Sequence, residues 1–163
     1  MEYATVFGSL KDYQKGSIEI IDDDPKHYAF SNMFEVAAMS KPYEKVAVGK
    51  NMEYAIEAIR AEGSSSWMTC DHDETALCVD GTVTVYLVKL DTPIAPTGSL
   101  GSHSVGGDPM GKAMGRIVLS QGHMALLPKG SAYRFHADSP SVLLQQTCFG
   151  PLTLERWAEI CIS

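Results

Sequence analysis

At 163 residues and 45% hydrophobic, the chain is long enough to bury one core and too short for two ordinary domains. Thirteen basic residues against twenty acidic ones give a formal charge of −7, which repels phosphate backbones and leaves no basic stripe for nucleic acid or an anionic bilayer. The start, Met1 to Val6, lacks a basic segment followed by an apolar one, and no apolar run reaches the roughly 18 residues of a membrane span, so the expectation is a soluble cytoplasmic protein without nucleic-acid or membrane partners.

Residues 1–50 read as an N-terminal arm. Ser9 to Asp12 opens a short helix that Gly16 would close, and Asp22-Asp23-Asp24-Pro25 is a solvated turn. Phe30, Met33, Phe34 and Ala37 recur at helical spacing until Lys41-Pro42 breaks the pattern.

Residues 51–150 read as a β-barrel. Met52 to Glu62 has helical spacing but stands where a strand is needed, and strand is the expectation. Thr75–Val79 and Thr82–Val88 flank Asp80-Gly81, a two-residue hairpin signal, and Val83, Val85 and Leu87 alternate with Thr82, Thr84 and Tyr86. Residues 91–115 are rich in Gly, Ser and Pro and have no apolar period, which predicts a long exposed loop. Arg116–Leu119, Met124–Leu127, Ala132–Phe135 and Val142–Cys148 are short, closely spaced strands. Residues 151–163 read as a helix capped by Thr153, with Leu154, Trp157, Ile160 and Cys161 on one face. The cysteines, at 70, 78, 148 and 161, form no C-x-x-C pair, so neither a disulfide framework nor a zinc site is indicated.

Gly122 to Gly130 matches the second motif of the cupins, G-x5-P-x-G-x2-H, up to its metal-binding histidine, where Tyr133 stands. The first motif, G-x5-H-x-H-x3-E-x6-G, fits through Glu74 and Gly81 and places Met68 and Cys70 at the two histidine positions. The implied fold is all-β: one cupin, a small jelly-roll barrel, with an N-terminal arm and a short C-terminal helix. Of the four ligand positions only Glu74 holds the expected residue. Met68, a neutral thioether, suits a core better than ferrous iron. Cys70 would need nitrogen or carboxylate partners that the spacing does not supply. Tyr133 fits as a pocket-filling phenol with its hydroxyl bonded, and an inward Glu74 has to be paired, hydrated or protonated. It could bond Tyr133 or turn outward. His72 is expected to share the facing of Glu74 and, with His136, to mark any residual pocket. His27, His103 and His123 read as surface residues.

A narrower resemblance rests on Tyr28-Ala-Phe-Ser-Asn-Met-Phe-Glu-Val-Ala-Ala, Pro42-Tyr-Glu-Lys-Val-Ala-Val-Gly-Lys-Asn-Met-Glu-Tyr and Leu126-Leu-Pro-Lys-Gly-Ser-Ala-Tyr-Arg-Phe. These runs resemble the small subunit of two-subunit hydroquinone 1,2-dioxygenases. The resemblance implies a chain with no catalytic and no metal-binding residue of its own, inactive alone. It implies a larger cupin partner that binds Fe(II), in a hetero-oligomer with two of each, and ring opening of hydroquinone to 4-hydroxymuconic semialdehyde in aromatic catabolism. Two other readings stay open at this point. One is a metal-free isomerase or epimerase with His72 or His136 as base and Tyr133 as acid, and the other a stand-alone cupin that binds a small molecule.

Overall fold

The computed structural model describes residues 8–24 and 31–160. The elements in chain order are α1 (Met33–Met39), β1 (Lys45–Asn51), β2 (Tyr54–Ser64), β3 (Met68–Thr69), β4 (Glu74–Asp80), β5 (Thr82–Leu90), β6 (His103–Ser104), β7 (Gly111–Ser120), β8 (Met124–Leu127), β9 (Ser131–Cys148), β10 (Thr153–Leu154) and α2 (Trp157–Ile160). The ten strands form one curled sheet, the cupin barrel expected from the motifs.

Its spine is β9, 18 residues long. The half from Ser141 onward lies between β2 and β4, and the half before it lies against β3 and β5. The sequence reading gave two strands here, Ala132–Phe135 and Val142–Cys148, on either side of Asp138-Ser139-Pro140. The backbone instead bends there while pairing continues on both sides, and Ala137 and Ser141 both still pair with β2. Alternation on β9 and β5 sends Phe135, Leu143, Val83, Val85 and Leu87 into one core with Ile59, Leu119 and Leu127.

The Asp80-Gly81 turn lies between two strands as expected, but they do not form a hairpin. β4 pairs with β8 and β9, whereas β5 pairs with β7 and β9. Gly81, at φ 76°, carries the chain from one half of β9 to the other directly over Ser141, into whose side chain a Cβ at Gly81 would run. A glycine before a change of sheet and a glycine in a two-residue hairpin look the same in sequence.

In the arm, Asn32 caps α1 by accepting from the amides of Phe34 and Glu35 at 2.9 and 3.3 Å, and the helix ends at Met39 ahead of Lys41-Pro42. Phe30, at the head of the expected face, lies outside the described residues, as do Pro25, His27 and Cys161. The helix expected at Ser9–Asp12 is only a turn, closed by bonds between Ser9 and Asp12, with Leu10 and Tyr13 packed against the Phe34 cluster. The sheet begins at Lys45, within the segment read as arm. The expected loop at 91–115 gives up Gly111–Gly115 to β7 and contains β6, and its Gly101 and Ser102 are buried. Thr153 does not cap a helix. It belongs to β10, paired in parallel with β1, and α2 starts four residues later. None of the described helices is long and apolar enough to cross a membrane.

Candidate functional site

Met68, Cys70, Glu74 and Tyr133, the residues the motifs align with cupin ligand positions, are all buried in the barrel. β3 sets Met68 opposite Tyr133 on β9, β4 begins at Glu74, and Cys70 follows directly on β3; the four side chains are 1–4% exposed. Glu74 is fully engaged: its Oε1 accepts from Ser102 Oγ and from Thr147 Oγ1, both at 2.6 Å, and its Oε2 accepts from the Tyr133 hydroxyl at 2.7 Å. The same phenol oxygen accepts from Gln145 Nε2 at 3.0 Å and lies 3.0 Å from Ser102 Oγ. The inward alternative for Glu74 therefore holds, and what saturates it is a ring of hydroxyls.

The network continues through the barrel. Lys45 Nζ donates to Gln145 Oε1 at 2.5 Å and stands 3.6 Å from Glu57 Oε2, with both charged side chains almost wholly buried. Glu57 Oε1 accepts from Thr153 Oγ1 at 2.7 Å, which is the work Thr153 does in place of helix capping, while Glu57 Oε2 has no hydrogen-bond partner among the described residues. Lys45 also lies over the Tyr133 ring, 5.8 Å from its centroid. Burial drives the Glu57 carboxyl above the usual carboxylate range, with the charge of Lys45 opposing it. Burial, reinforced by the charge of Glu74, holds the Tyr133 phenol well above its ordinary value.

Ser102 reaches this site because the long loop is drawn into the barrel mouth. Gly98 N–H donates to Asp71 Oδ2, Gly101 N–H donates to His72 Nε2 at 2.9 Å, and the Cys70 thiol donates to Gly101 O at 3.0 Å. Gly101, at φ 76°, packs against the backbone of Gly150 so closely that a Cβ would collide with it. Three consecutive residues after β3 thus hold the loop and deliver one serine hydroxyl to Glu74.

That geometry corrects the reading of His72. It precedes β4 on a bend, so strand parity does not apply, and its ring is half-exposed with Nε2 accepting from Gly101 and Nδ1 2.9 Å from Asp73 O. It is a loop clamp in one tautomer, with the proton on Nδ1. His136 faces outward, bridging Ser64 Oγ at 2.8 Å and Asp138 Oδ1 at 3.0 Å. No hydrogen bond links a histidine to Tyr133 or Glu74 among the described residues, which leaves the metal-free acid–base reading without its base. His103, expected on the surface, is half-buried, and its Nε2 has no hydrogen-bond partner among the described residues.

The donor set does not fit ferrous iron. Both Glu74 oxygens are taken by hydroxyls, Tyr133 is held as a phenol, and burial together with the charge of Glu74 pushes the Cys70 thiol up to about 12, so no thiolate forms near neutral pH. Among the described residues no three His, Cys, Asp or Glu side chains gather as a metal site requires. Sequence reasoning missed Lys45, Glu57, Ser102, Gln145 and Thr147. Gln145 and Thr147 share strand parity with Leu143, and Glu57 shares it with Ala55 and Ile59, so three of these five were readable as polar residues on an inward face. Ser102 gave no signal within a Gly/Ser-rich loop.

Comparison with solved structures decides the family. Over 99% of its length the chain superposes on a chain of hydroquinone 1,2-dioxygenase PnpCD, a complex with Cd2+ and 4-hydroxybenzonitrile, at TM-score 0.94 and 54% identity, covering 98% of that chain. The chain belongs to the small-subunit cupins of the hydroquinone 1,2-dioxygenase family. It is equally similar, at 54% identity and TM-score 0.94 over 99% of both chains, to hydroquinone 1,2-dioxygenase from Sphingomonas sp. TTNP3 with 4-hydroxybenzoate bound. A further PnpCD chain, from a complex with Fe3+, shares the fold at TM-score 0.63 and 12% identity over 87% of this chain and only 40% of its own length. The dioxygenase PnpCD thus contains the cupin fold in two chain contexts, one the length of this chain and one much longer. No protein-family model matches the sequence, and comparison with curated proteins gives no match.

Proposed function

We propose that this chain is the non-metal-binding small subunit of a ferrous iron-dependent hydroquinone 1,2-dioxygenase that opens hydroquinone to 4-hydroxymuconic semialdehyde in aromatic catabolism. The observation that carries the reading is the saturation of Glu74 by Ser102, Thr147 and Tyr133. A barrel whose one remaining ligand is fully hydrogen-bonded is a rigid block, and a rigid block supports a neighbouring site without doing its chemistry. The degenerate positions are Met68, Cys70, Glu74 and Tyr133. Iron and dioxygen chemistry belong to a larger cupin chain, and no step of it is routed through residues of this one. What this subunit supplies is buried surface and a fixed frame. The assembly is a hetero-oligomer with two of each chain in the cytoplasm, a compartment that suits Cys70, Cys78 and Cys148, which are free and buried.

The test is oxygen uptake with hydroquinone and ferrous iron, using this chain, the larger chain of the same organism, and their mixture. Activity is expected only in the mixture. Turnover by this chain alone, or full turnover by the larger chain without it, overturns the reading. Elemental analysis of the dialysed chain checks the metal claim separately: iron held near one equivalent refutes a degenerate site.

A further inference from the structure

β5, β7 and the first half of β9 carry charge of the sign opposite to that of the whole molecule. The chain has twenty acidic residues against thirteen basic ones, yet residues 82–90, 111–120 and 131–137 contain Lys89, Lys112, Arg116 and Arg134 and no carboxylate. Elsewhere Lys15, Lys45, Lys50, Arg60, Lys129 and Arg156 each have a carboxylate partner. These four have none among the described residues. Lys89 and Lys112 stand directly opposite each other in register, a like-charge pair that costs stability. Arg116 and Arg134 flank Tyr86 from its two sides, in one row across β7, β5 and β9. That row faces outward, because Val85, Leu87, Tyr133 and Phe135 at the alternate positions enter the core.

Arg134 is the centre of the row. Its guanidinium lies between Trp67 and Tyr86, 4.8 and 5.3 Å from their ring centroids, and its Nε is buried with no hydrogen-bond partner among the described residues. Rings on two sides of a guanidinium hold it in one orientation without taking up its N–H donors. A fixed guanidinium whose donors are unused is a receptor for a planar carboxylate, which accepts two parallel N–H bonds from it. Arg116, exposed two strands away and so roughly 10 Å off between backbones, adds a second positive charge within side-chain reach. We infer that this row binds a conjugated organic carboxylate, an inference that rests on the function proposed above. The chemistry of that reaction decides the class of ligand. Hydroquinone is neutral, whereas 4-hydroxymuconic semialdehyde carries a carboxylate on a conjugated chain. The carboxylate takes the Arg134 donors and the flat chain lies against the flanking rings, so the row engages the product and passes over the substrate. A tetrahedral inorganic anion gains nothing from the rings.

The probe is sorbate, a stable conjugated carboxylate, titrated into the full chain carrying Trp157→Phe so that Trp67 is its one indole. Trp67 fluorescence should change saturably with sorbate and not with hydroquinone, and inorganic phosphate should bind about tenfold more weakly than sorbate. Arg134→Lys keeps the charge and loses the fork, so it should weaken sorbate about tenfold. Arg116→Gln, whose side chain is exposed and whose folding is not at stake, should weaken it by a smaller factor. No saturable response to sorbate, a response unchanged in both variants, or equal affinity for hydroquinone or phosphate overturns the inference. So does weaker assembly of Arg134→Lys with the larger chain in the absence of any sorbate response, which would give the row to an acidic side chain of that chain. The titration uses this chain alone and so stands apart from oxygen uptake: if sorbate binds and the mixed chains do not turn over hydroquinone, the carboxylate site holds and the functional reading fails.

Discussion

The interior of this barrel and its outer β2–β9–β4–β8 face have exchanged the polarity a lone domain would give them. Inside, a lysine, two carboxylates, an amide and several hydroxyls lie almost fully buried; outside, Tyr54, Ile56, Met124 and Leu126 meet solvent. The two differ in how they are satisfied. Among the described residues the interior network leaves only Glu57 Oε2 without a hydrogen bond, whereas none of them covers the outer side chains of Tyr54, Ile56, Met124 and Leu126. A cupin that binds metal needs ligands free to move onto an ion. Here Cys70, Glu74 and Tyr133 are held by hydrogen bonds and Met68 by core packing, and exposed apolar side chains lie outside, which suits a chain whose work is done through contact.

The interior side of the contrast breaks most severely at Lys45. Removing its ammonium with Lys45→Met leaves Glu57 buried without its cation, and loss of one partner of such a pair costs about 3–5 kcal/mol. Chemical denaturation measures it. Lys45→Met combined with Glu57→Leu should recover much of the loss, because the pair is replaced by packing; no recovery would mean that the lysine acts through Gln145 and the Tyr133 ring instead.

Next in size is Tyr133→Phe. It strands Glu74 Oε2 and the Gln145 amide as well as removing a hydroxyl, so the cost should be about 2–3 kcal/mol, at the upper end for unsatisfied buried groups. Ser102→Ala should cost less, on the order of 1–2 kcal/mol, since Thr147 still donates to Glu74 Oε1. If Ser102→Ala proves the more harmful, the loop and not the phenol organises the site. In the assembled dioxygenase both variants should lower thermal stability more than turnover, and a complete loss of turnover in a folded Tyr133→Phe complex would make Tyr133 a participant in the chemistry.

How far this contrast was legible in the sequence differs between its two sides. The barrel was legible because Gly122–Gly130 and the Glu74–Gly81 spacing fix turns that few other folds need, the strand at 82–90 follows from alternation, and the strand at 54–64 follows from its place before the first motif despite helical spacing. Pairing was not. Asp80-Gly81 and Ser139-Pro140 are local signals, and whether a chain turns back on itself or passes to another strand is decided by the distant partner at Ser141. The site was half legible: the absent histidines were plain, but Ser102 arrives through a loop whose course depends on Asp71, His72 and Cys70, and sequence spacing carries no information about that clamp. The outer face could have been read from the parity of Met124 and Leu126 against Ala125 and Leu127, which alternate cleanly with both sets apolar.

The smallest expected effect sharpens the comparison at alkaline pH through Cys70. Its thiol is raised from 9.0 to about 12 in the fold, first by burial and then by the charge of Glu74. A group whose folded value lies above its unfolded one contributes its full stability below the unfolded value and loses it as pH climbs through the folded one. With respect to this thiol, stability should therefore be level up to pH 9 and decline between 9 and about 12. Cys70→Ser keeps a donor to Gly101 O and does not ionise in that range, so its decline should be shallower than the wild type's while the two agree near neutral pH, as urea unfolding across the pH series would record. Parallel declines would mean that Cys70 is more open to solvent than its 2% exposure indicates and that the barrel mouth opens where the loop carrying Ser102 is clamped.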